Sequence, residues 1–349
     1  MAYTTIDDPT AYFNTSLYAG TGAAHNIIGT GFQPDLVWIK ERSSTSSHLL
    51  NDSSRGAGEN MYPDTTASEG TNTTLFTSFN SDGFTVGDTG QANDEGETYV
   101  AWQWKCNGGT TTTNDASATS VGNVDSVYQT NTTARFSIVT YTGTASDDSV
   151  LAHGLGASPE LIIIKARSAT TGWSTNHISS GITSGYYQLQ DTTAFTSADN
   201  NVKAVSSTTF TLGVDSWVNG SGVDFVAYFF KGVQGYSKFG GYTGNGNADG
   251  VFLYTGFKPS MIIIKHSSGT SNWSILDTTR DPTNVNSLRL FPDDNAVENS
   301  GLDSMDMLSN GIKIRSNDAG HNSDGETYIY MAFAASPFVT SNGVPTNAR

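Results

Sequence analysis

Short apolar runs bounded by turn residues recur along the chain, and one of them appears three times in nearly the same form. The three stretches are FQPDLVWIK from Phe32, ASPELIIIK from Ala157 and FKPSMIIIK from Phe257. In each, a proline and a polar residue precede four apolar residues and a lysine. Continuous apolar runs of this length are typical of β-strands covered on both faces. The pattern therefore predicts three central strands, one for each of three structural units.

Three further signals accompany each run in a constant order. A Tyr-x-Gly lies upstream, a turn and an alternating strand lie downstream, and an aromatic-rich strand closes the series. The signals lie at Tyr18, 82–87 and 98–105 in the first copy, at Tyr141, 208–213 and 224–231 in the second, and at Tyr242, 310–315 and 327–334 in the third. Together they predict a repeat of about 100 residues, which is enough for a small domain with its own core.

The predicted fold is all-β, with three tandem antiparallel β-sandwich units of jelly-roll-like type. No long pattern with a period of 3.6 residues occurs, so little helix is expected. Trp102 and Trp104 alternate with Ala101 and Gln103, which predicts a closing strand with one buried face. The predicted segments are an N-terminal arm (1–17), unit 1 (18–106), a Thr-rich linker (107–134), unit 2 (135–234), unit 3 (235–339) and a C-terminal tail (340–349).

The joints between the predicted units differ in length. Residues 107–134 consist mostly of Gly, Thr, Ser and Asn, a composition typical of a linker. Within them, VGNVDSVYQ (121–129) carries enough Val and Tyr to dock on a surface. Only a few residues, near 232–241, separate units 2 and 3. We therefore expect units 2 and 3 to pack closely, whereas the longer joint allows unit 1 to be placed away from them.

Charge and cysteine content exclude several classes of protein. The chain has 33 acidic and 17 basic residues and a net charge of −16, which argues against binding nucleic acid or anionic membranes. The single cysteine, Cys106, excludes an internal disulfide framework. The N-terminal residues do not resemble a signal peptide, and no apolar run approaches the ~20 residues that span a membrane.

Units 1 and 3 share a polar pattern after the central strand. Asp52 and Arg55 correspond to Asp277 and Arg280, whereas unit 2 has His177 at the aspartate position and no matching arginine. The polar trio that these positions suggest is Lys40, Asp52 and Arg55. It could form a ligand site, or it could be a structural ion pair that holds a loop, and we favour the structural interpretation.

Catalytic and metal-binding patterns are absent from the sequence. The six histidines are isolated, no Cys-x-x-Cys occurs, and neither a GxSxG elbow nor a P-loop is present. The sequence therefore predicts no enzyme and no cofactor. A loosely bound surface cation stays open for one acidic cluster, which consists of Asp293, Asp294, Glu298, Asp303 and Asp306.

Binding residues are expected in the loops where the copies differ, because loops carry function on a rigid scaffold. These loops are 51–72, 179–202 and 282–305. Arg and Tyr dominate the binding energy of many interfaces. The candidate contacts are Arg55, Tyr186, Tyr187, Arg289 and Phe291. The alternative for each of them is that it folds back over its own sandwich.

Several of these stretches resemble the repeat domain of structural proteins from tailed bacteriophages of marine bacteria. They are residues 1–22, PDLVWIK (34–40), SFNSDGFTVG (78–87), GETYVAWQWK (96–105), 114–143 and 152–168. The resemblance extends over roughly residues 1–175, and in the third unit it is limited to YTGNG, GFKP and IIIK.

This resemblance implies a virion protein of the tail or a fibre that contributes to host-cell recognition. The expected partners are other virion proteins, further copies of the chain (a trimer among the forms) and a host surface glycan or protein. Assembly would take place in the cytoplasm of the host bacterium. A capsid decoration protein and a polysaccharide-degrading tailspike stay open as alternatives.

Overall fold

Antiparallel β-strands form the framework of the protein in the computed structural model, which describes residues 2–88, 90–301 and 304–346. Strands account for 42% of the chain and helices for 5%, so the all-β prediction is confirmed. Within these ranges, no helix is long and apolar enough to cross a membrane. The helical turns are α1 (Ala116–Thr119), α2 (Ser216–Asn219) and the 3₁₀ turns Pro9–Ala11, Gly90–Ala92 and Ile178–Ser180.

The strands follow one another along the chain in three series. The first series is β1 (Phe13–Ala19), β2 (His25–Ile28), β3 (Leu36–Glu41), β4 (Leu49–Asp52), β5 (Glu59–Asn60), β6 (Gly70–Thr71), β7 (Phe76–Asn80), β8 (Gly83–Val86) and β9 (Thr98–Trp104). The second is β10 (Thr112–Asn114), β11 (Ser126–Asn131), β12 (Phe136–Thr142), β13 (Ser149–Ala152), β14 (Leu161–Ala166), β15 (Ser174–His177), β16 (Gly185–Gln188), β17 (Thr196–Ser197), β18 (Val202–Val205), β19 (Thr209–Leu212) and β20 (Asp224–Phe230). The third is β21 (Ser237–Thr243), β22 (Phe252–Tyr254), β23 (Phe257–His266), β24 (Ser274–Asp277), β25 (Met305–Leu308), β26 (Gly311–Ile314) and β27 (Thr327–Pro337).

Each series forms a four-stranded arrangement and a three-stranded sheet, which we together call a sheet pair, and the strand order is the same in all three series. In the first sheet pair the orders are β1-β9-β3-β4 and β2-β8-β7. In the third sheet pair they are β21-β27-β23-β24 and β22-β26-β25. In the second sheet pair, β12-β20-β14-β15 lie inside an eight-stranded sheet, which accompanies β13-β19-β18. The three predicted apolar runs form β3, β14 and β23, each of which has a strand on both sides.

Each sheet pair encloses an apolar core of its own. Alternate residues of a strand point to opposite faces, so half of each central strand faces the three-stranded sheet. Residues of the central strand and of the three-stranded sheet share one buried cluster in each pair: Val37 and Ile39 with Phe84 and Val86, Ile162 and Ile164 with Phe210 and Leu212, and Ile262 and Ile264 with Ile312 and Ile314. The remaining residues of these strands face the other way.

The outward faces of all three four-stranded arrangements meet in one shared core. Its members include Trp38, Trp102 and Trp104 of the first pair, Ile163, Tyr228 and Phe230 of the second, and Ile263, Met331 and Phe333 of the third. The ring centroid of Phe333 lies 5.0 Å from that of Phe13, 5.6 Å from that of Trp104 and 5.9 Å from that of Phe230. The void between these side chains is only about 30 Å³, so the shared core is closely packed.

This shared core overturns two expectations. The closing strand β9 is buried from Tyr99 to Trp104, on both faces rather than one. The first sheet pair also does not lie apart from the others, because its tryptophans are in the common cluster. The physical reason is the same for both: exposing a second aromatic face would forfeit about 25 cal/mol for each Å² of apolar surface.

Residues 107–134 are structured, whereas their composition predicts a linker. They contain β10, α1 and β11, and β11 pairs with β12 so that Val127 lies opposite Thr140. Asp115 caps α1 by accepting backbone N–H bonds from Ser117 and Ala118. Backbone hydrogen bonds hold this added strand, and a Thr- and Ser-rich composition does not distinguish such a strand from a flexible segment.

Both predicted terminal segments contact the rest of the protein. Strand β1 begins inside the predicted arm, and Thr4 donates its hydroxyl to the carbonyl of Gln234 at 2.7 Å. The Ser341 hydroxyl donates to the Asp7 carboxylate at 2.5 Å, so the two ends of the described chain are neighbours. Of the predicted C-terminal tail, 347–349 lie outside the described residues.

We predict that replacing Phe333 destabilises the whole protein rather than the third sheet pair alone. Phe333→Ala should cost about 3–5 kcal/mol, because it leaves a cavity in contact with all three pairs. Denaturant unfolding followed by tryptophan fluorescence should still give a single transition, at a lower midpoint. Phe252→Ala, at a residue that is 46% exposed, is the control. Two separate transitions in Phe333→Ala would contradict a shared core.

Candidate functional site

The polar residues that the sequence analysis identified gather where the sheet pairs meet. We call the contact between the first and second pairs the first junction, that between the second and third pairs the second junction, and that between the third and first pairs the third junction. Asp52, His177 and Asp277 end equivalent strands, because they lie opposite Leu36, Leu161 and Met261 in the three registers. Each of them belongs to a different junction.

A buried chain of charges crosses the first junction. The Nε of Arg55 lies 2.5 Å from Asp52 Oδ2, and both side chains are fully buried. Arg55 also lies 2.7 Å from Glu69, which reaches Arg167 of the second pair at 2.8 Å. Tyr228 of the second pair donates its hydroxyl to Asp52 at 2.7 Å. Burial opposes the charge of Arg55, but Asp52 and neighbouring Glu69 raise its pKa above the ordinary value.

The third junction has the same arrangement. Arg280 Nε lies 2.5 Å from Asp277 Oδ2, and Arg280 lies 2.9 Å from Glu298. Glu298 reaches Arg42 of the first pair at 2.7 Å. Trp102 of the first pair donates its indole N–H to Asp277 at 3.0 Å. In both junctions, therefore, the aspartate accepts a bond from an aromatic residue of the neighbouring closing strand.

At the second junction a histidine takes the position of the aspartate. The third closing strand has Met331 at the register position of Trp102 and Tyr228, and a thioether has no proton to donate. His177 instead donates from Nε2 to the backbone carbonyl of Tyr330 at 3.1 Å, while its Nδ1 accepts a backbone N–H. The missing aspartate in the second unit is thus explained by the missing donor opposite it.

One nitrogen at each junction donates to a carbonyl of the preceding sheet pair. The donors and acceptors are Trp173 Nε1 with Tyr62 O at 3.1 Å, Trp273 Nε1 with Gln188 O at 2.9 Å, and His48 Nε2 with Phe291 O at 2.8 Å. His48 can serve in place of tryptophan because its Nδ1 accepts the indole N–H of Trp38 at 2.8 Å, which leaves the proton on Nε2.

The three repeated lysines are buried against backbone carbonyls. Burial lowers the pKa of Lys40, Lys165 and Lys265 to about 8. Lys165 donates to Thr66 O and Thr171 O, Lys265 to Thr192 O and Ser271 O, and Lys40 to Glu41 O. Of the suggested trio, Asp52 and Arg55 form an ion pair at the first junction, whereas the Lys40 ammonium donates to the backbone carbonyl of Glu41.

The five candidate loop contacts offer little free surface. The side chain of Arg55 and the whole of Tyr187 are buried, and Arg289 is 6% exposed. The guanidinium of Arg289 lies 5.8 Å over the ring of Phe291, which is half-buried. Tyr186 is half-buried as well, against a neighbouring tryptophan. These side chains pack against the protein, and Tyr187 reaches beyond its own sheet pair to Ser267 and Trp273 of the third.

The acidic cluster does not form a metal site in the described ranges. No group of three or more His, Cys, Asp or Glu side chains there could hold a metal ion. Asp293 accepts the backbone N–H of Trp273 at 3.0 Å, and burial raises its pKa to about 7. Asp306 lies 2.6 Å from Arg315. Asp303 lies outside the described residues.

The sequence pattern does not assign the junction role of the residues that complete the first and third junctions. Glu69 and Glu298 lie 14 and 18 residues after their arginines, in loops of different length, so no common spacing marks them. The pattern predicts Trp102 on a buried face, and Tyr228 belongs to the aromatic-rich strand 224–231; both are also hydrogen-bond donors. One signal is present in the sequence. The two units with aspartate at the strand end have tyrosine or tryptophan in the closing strand that follows around the molecule, whereas the unit with histidine has methionine there.

We predict that Arg55→Met destabilises the protein by about 3–5 kcal/mol, because it leaves the charge of Asp52 buried without its partner. Urea unfolding of both proteins at pH 7 measures the difference. Lys203→Met is the matched control, since Lys203 pairs with Asp147 at the surface at 2.7 Å and should contribute little. Equal effects of the two substitutions would argue against a junction held by charge.

We predict that His177 makes stability depend on pH. Burial lowers its pKa to about 4, so below pH 6.5 the unfolded chain binds a proton that the folded protein does not. Stability is fully retained above that pH and falls by about 1.4 kcal/mol for each pH unit down to about 4. Unfolding curves of the parent and of His177→Gln, measured between pH 7 and 4.5, should therefore converge as the pH falls. Parallel curves would contradict a neutral, buried His177.

Comparison with known families gives one match over nearly the whole chain. Residues 8–337 match DUF7483, a domain of unknown function. No curated protein and no solved structure gives a match. The matched range begins before β1 and ends at the last residue of β27, so it includes all three sheet pairs and their junctions. The chain therefore belongs to the DUF7483 family.

Proposed function

We propose that the chain consists of three tandem β-sandwich units joined into one rigid body. The support is that strand order repeats in all three sheet pairs and that each pair encloses its own apolar core. The fourth, shared core and the three junctions would then hold the units in fixed positions. One family model matches all three sheet pairs together, which agrees with three units that form a single body.

This body is a non-enzymatic structural protein of a virion, a tail or fibre component that contributes to host-cell recognition. The observation that supports a structural role is the use of the repeated Asp, Arg, His and Lys residues. They are buried and bonded to the neighbouring sheet pair, so they hold the protein together and are not open to a substrate. The virion assignment rests on the resemblance of residues 1–175 to phage structural proteins.

Assembly with further partners follows from this role. Other virion proteins and further copies of the chain, in a trimer or another oligomer, would bind the outer faces of the three-stranded sheets and the loops. A host surface glycan or protein would be the partner in recognition. Such a protein would be made and assembled in the host cytoplasm.

Capsid decoration is the second candidate, and one surface favours it. The two ends of the described chain lie together, and Tyr3 contacts Tyr254 through their hydroxyls at 3.2 Å. Tyr254 and Phe252 are 49% and 46% exposed there, and Val344 is 58% exposed. An apolar end of this kind would suit attachment to a capsid surface.

Quantitative mass spectrometry of purified virions tests the proposal. We expect peptides of this chain in the particles, at the low copy number of a tail or fibre component. A copy number similar to that of the major capsid protein would favour decoration instead. Absence from purified particles, with the protein present in the infected cell, would overturn both candidates.

A further inference from the structure

A groove of about 650 Å³ opens at the second junction. Its lining comes from Ser179, Ser180, Phe195, Gly241, Tyr242, Thr243, Ser267, Thr327, Tyr328 and Ile329. None of these side chains carries a charge at neutral pH, although the protein as a whole has a net charge of −16. The volume lies within the range of about 300–1,000 Å³ that is typical of small-molecule sites.

The groove lies where the second junction lacks the arginine and glutamate pair of the other two. Glu69 donates its backbone N–H to the carbonyl of Arg167, and Glu298 does the same to Arg42, at 2.8 and 2.9 Å. At the second junction the equivalent bond, 3.0 Å long, joins Phe195 and Ser267. Phe195 thus stands at the position of the glutamates, and Ser267 stands at the position of the arginines.

The corresponding place in the second sheet pair is smaller and charged. It is bounded by Thr140, Tyr141 and Thr142 of β12, which match 241–243 of β21 in register. Its volume is about 310 Å³, and Arg167 and Asp224 are part of its lining. The two places differ in charge, and they also differ in cover, because β10 and β11 border the smaller groove whereas β21 is an edge strand.

A chain of three hydroxyls forms the base of the groove. The hydroxyl of the buried Tyr187 bonds to Ser180 on one side and to Ser267, at 2.6 Å, on the other. Three hydroxyls have three protons, and the two bonds between them use only two. When the two bonds run in one direction along the chain, the O–H of Ser180 or Ser267 is left to donate into the groove. Burial raises the pKa of Tyr187, so its phenol stays neutral.

Further hydroxyls and a ring face the same space. Among the described residues, the side-chain hydroxyls of Ser179, Thr243 and Thr327 make no hydrogen bond to the protein. Phe195 is half-buried and supplies an apolar surface beside them. Hydroxyls that both donate and accept, next to an aromatic ring, match the alternating hydroxyl groups and C–H faces of a sugar.

We propose that this groove binds a neutral saccharide. A charged ligand would lose its hydration there without gaining a counter-charge, and a purely apolar ligand would leave the hydroxyls unpaired. The inference rests on the proposed role in host recognition, for which it supplies the ligand class: an uncharged cell-surface glycan. Phe195 packs against a sugar ring, while Ser180, Ser267 and Thr327 bond to its hydroxyls.

The test uses a microarray of neutral and anionic glycans, followed by calorimetric titration with the best neutral glycan. The decisive variant is the double substitution Phe195→Glu and Ser267→Arg, which recreates the ion pair that the fold accommodates at the other two junctions. We expect it to weaken glycan binding by about tenfold or more. Thr113→Arg, in the smaller groove, is the control and should bind as the parent does.

Three results would overturn the inference: no bound neutral glycan, binding only of anionic glycans, or unchanged binding by the double variant. Circular dichroism and unfolding of the double variant establish that it is folded, and Ser267→Arg alone serves as a second variant if the pair does not fold. Virion mass spectrometry separates this outcome from the proposed function. A chain that is present in particles but binds no glycan contradicts the groove alone, and a glycan-binding chain absent from particles contradicts the virion role alone.

Discussion

Burial of a second aromatic face on every four-stranded arrangement is the constraint on which the rest of the structure depends. Each closing strand has large side chains on the face that points away from its own three-stranded sheet, as Trp102, Tyr228 and Met331 do. No one sheet pair can cover that face, so the three must cover one another. The burial of the ion pairs, the neutral histidines and the low lysine pKa values all follow from this packing.

The junctions illustrate how polar groups are paired when a core closes around them. An unpaired buried donor or acceptor costs more than a hydrogen bond gains, so each position depends on the residue opposite it. Aspartate faces a tryptophan or a tyrosine, and histidine faces a carbonyl beside Met331. A substitution on one side of a junction therefore requires a matching change on the other.

The sequence was sufficient for the strands and insufficient for their assembly. Apolar runs such as 161–164 identify a doubly covered strand because both of its faces are apolar. The same runs do not indicate whether the second face of the strand packs against its own unit or against a neighbouring one. The expectation that the first unit can be placed away from the others was therefore wrong. Burial of Tyr187 and Arg289 was equally hidden, because loop position predicts exposure only on average. The prediction of a linker was wrong for a related reason. Strand β11 is held by backbone hydrogen bonds, to which side-chain composition contributes little.

Three junctions encoded within one chain need not be identical, and the second differs from the other two. In a ring of identical subunits, a substitution such as arginine to serine at an interface appears in every copy and would weaken all of them together. Here Ser267 changes one contact, while Arg42 and Arg167 keep theirs. Covalent linkage of the three parts thus permits evolutionary specialisation of a single interface, because the other two maintain the assembly.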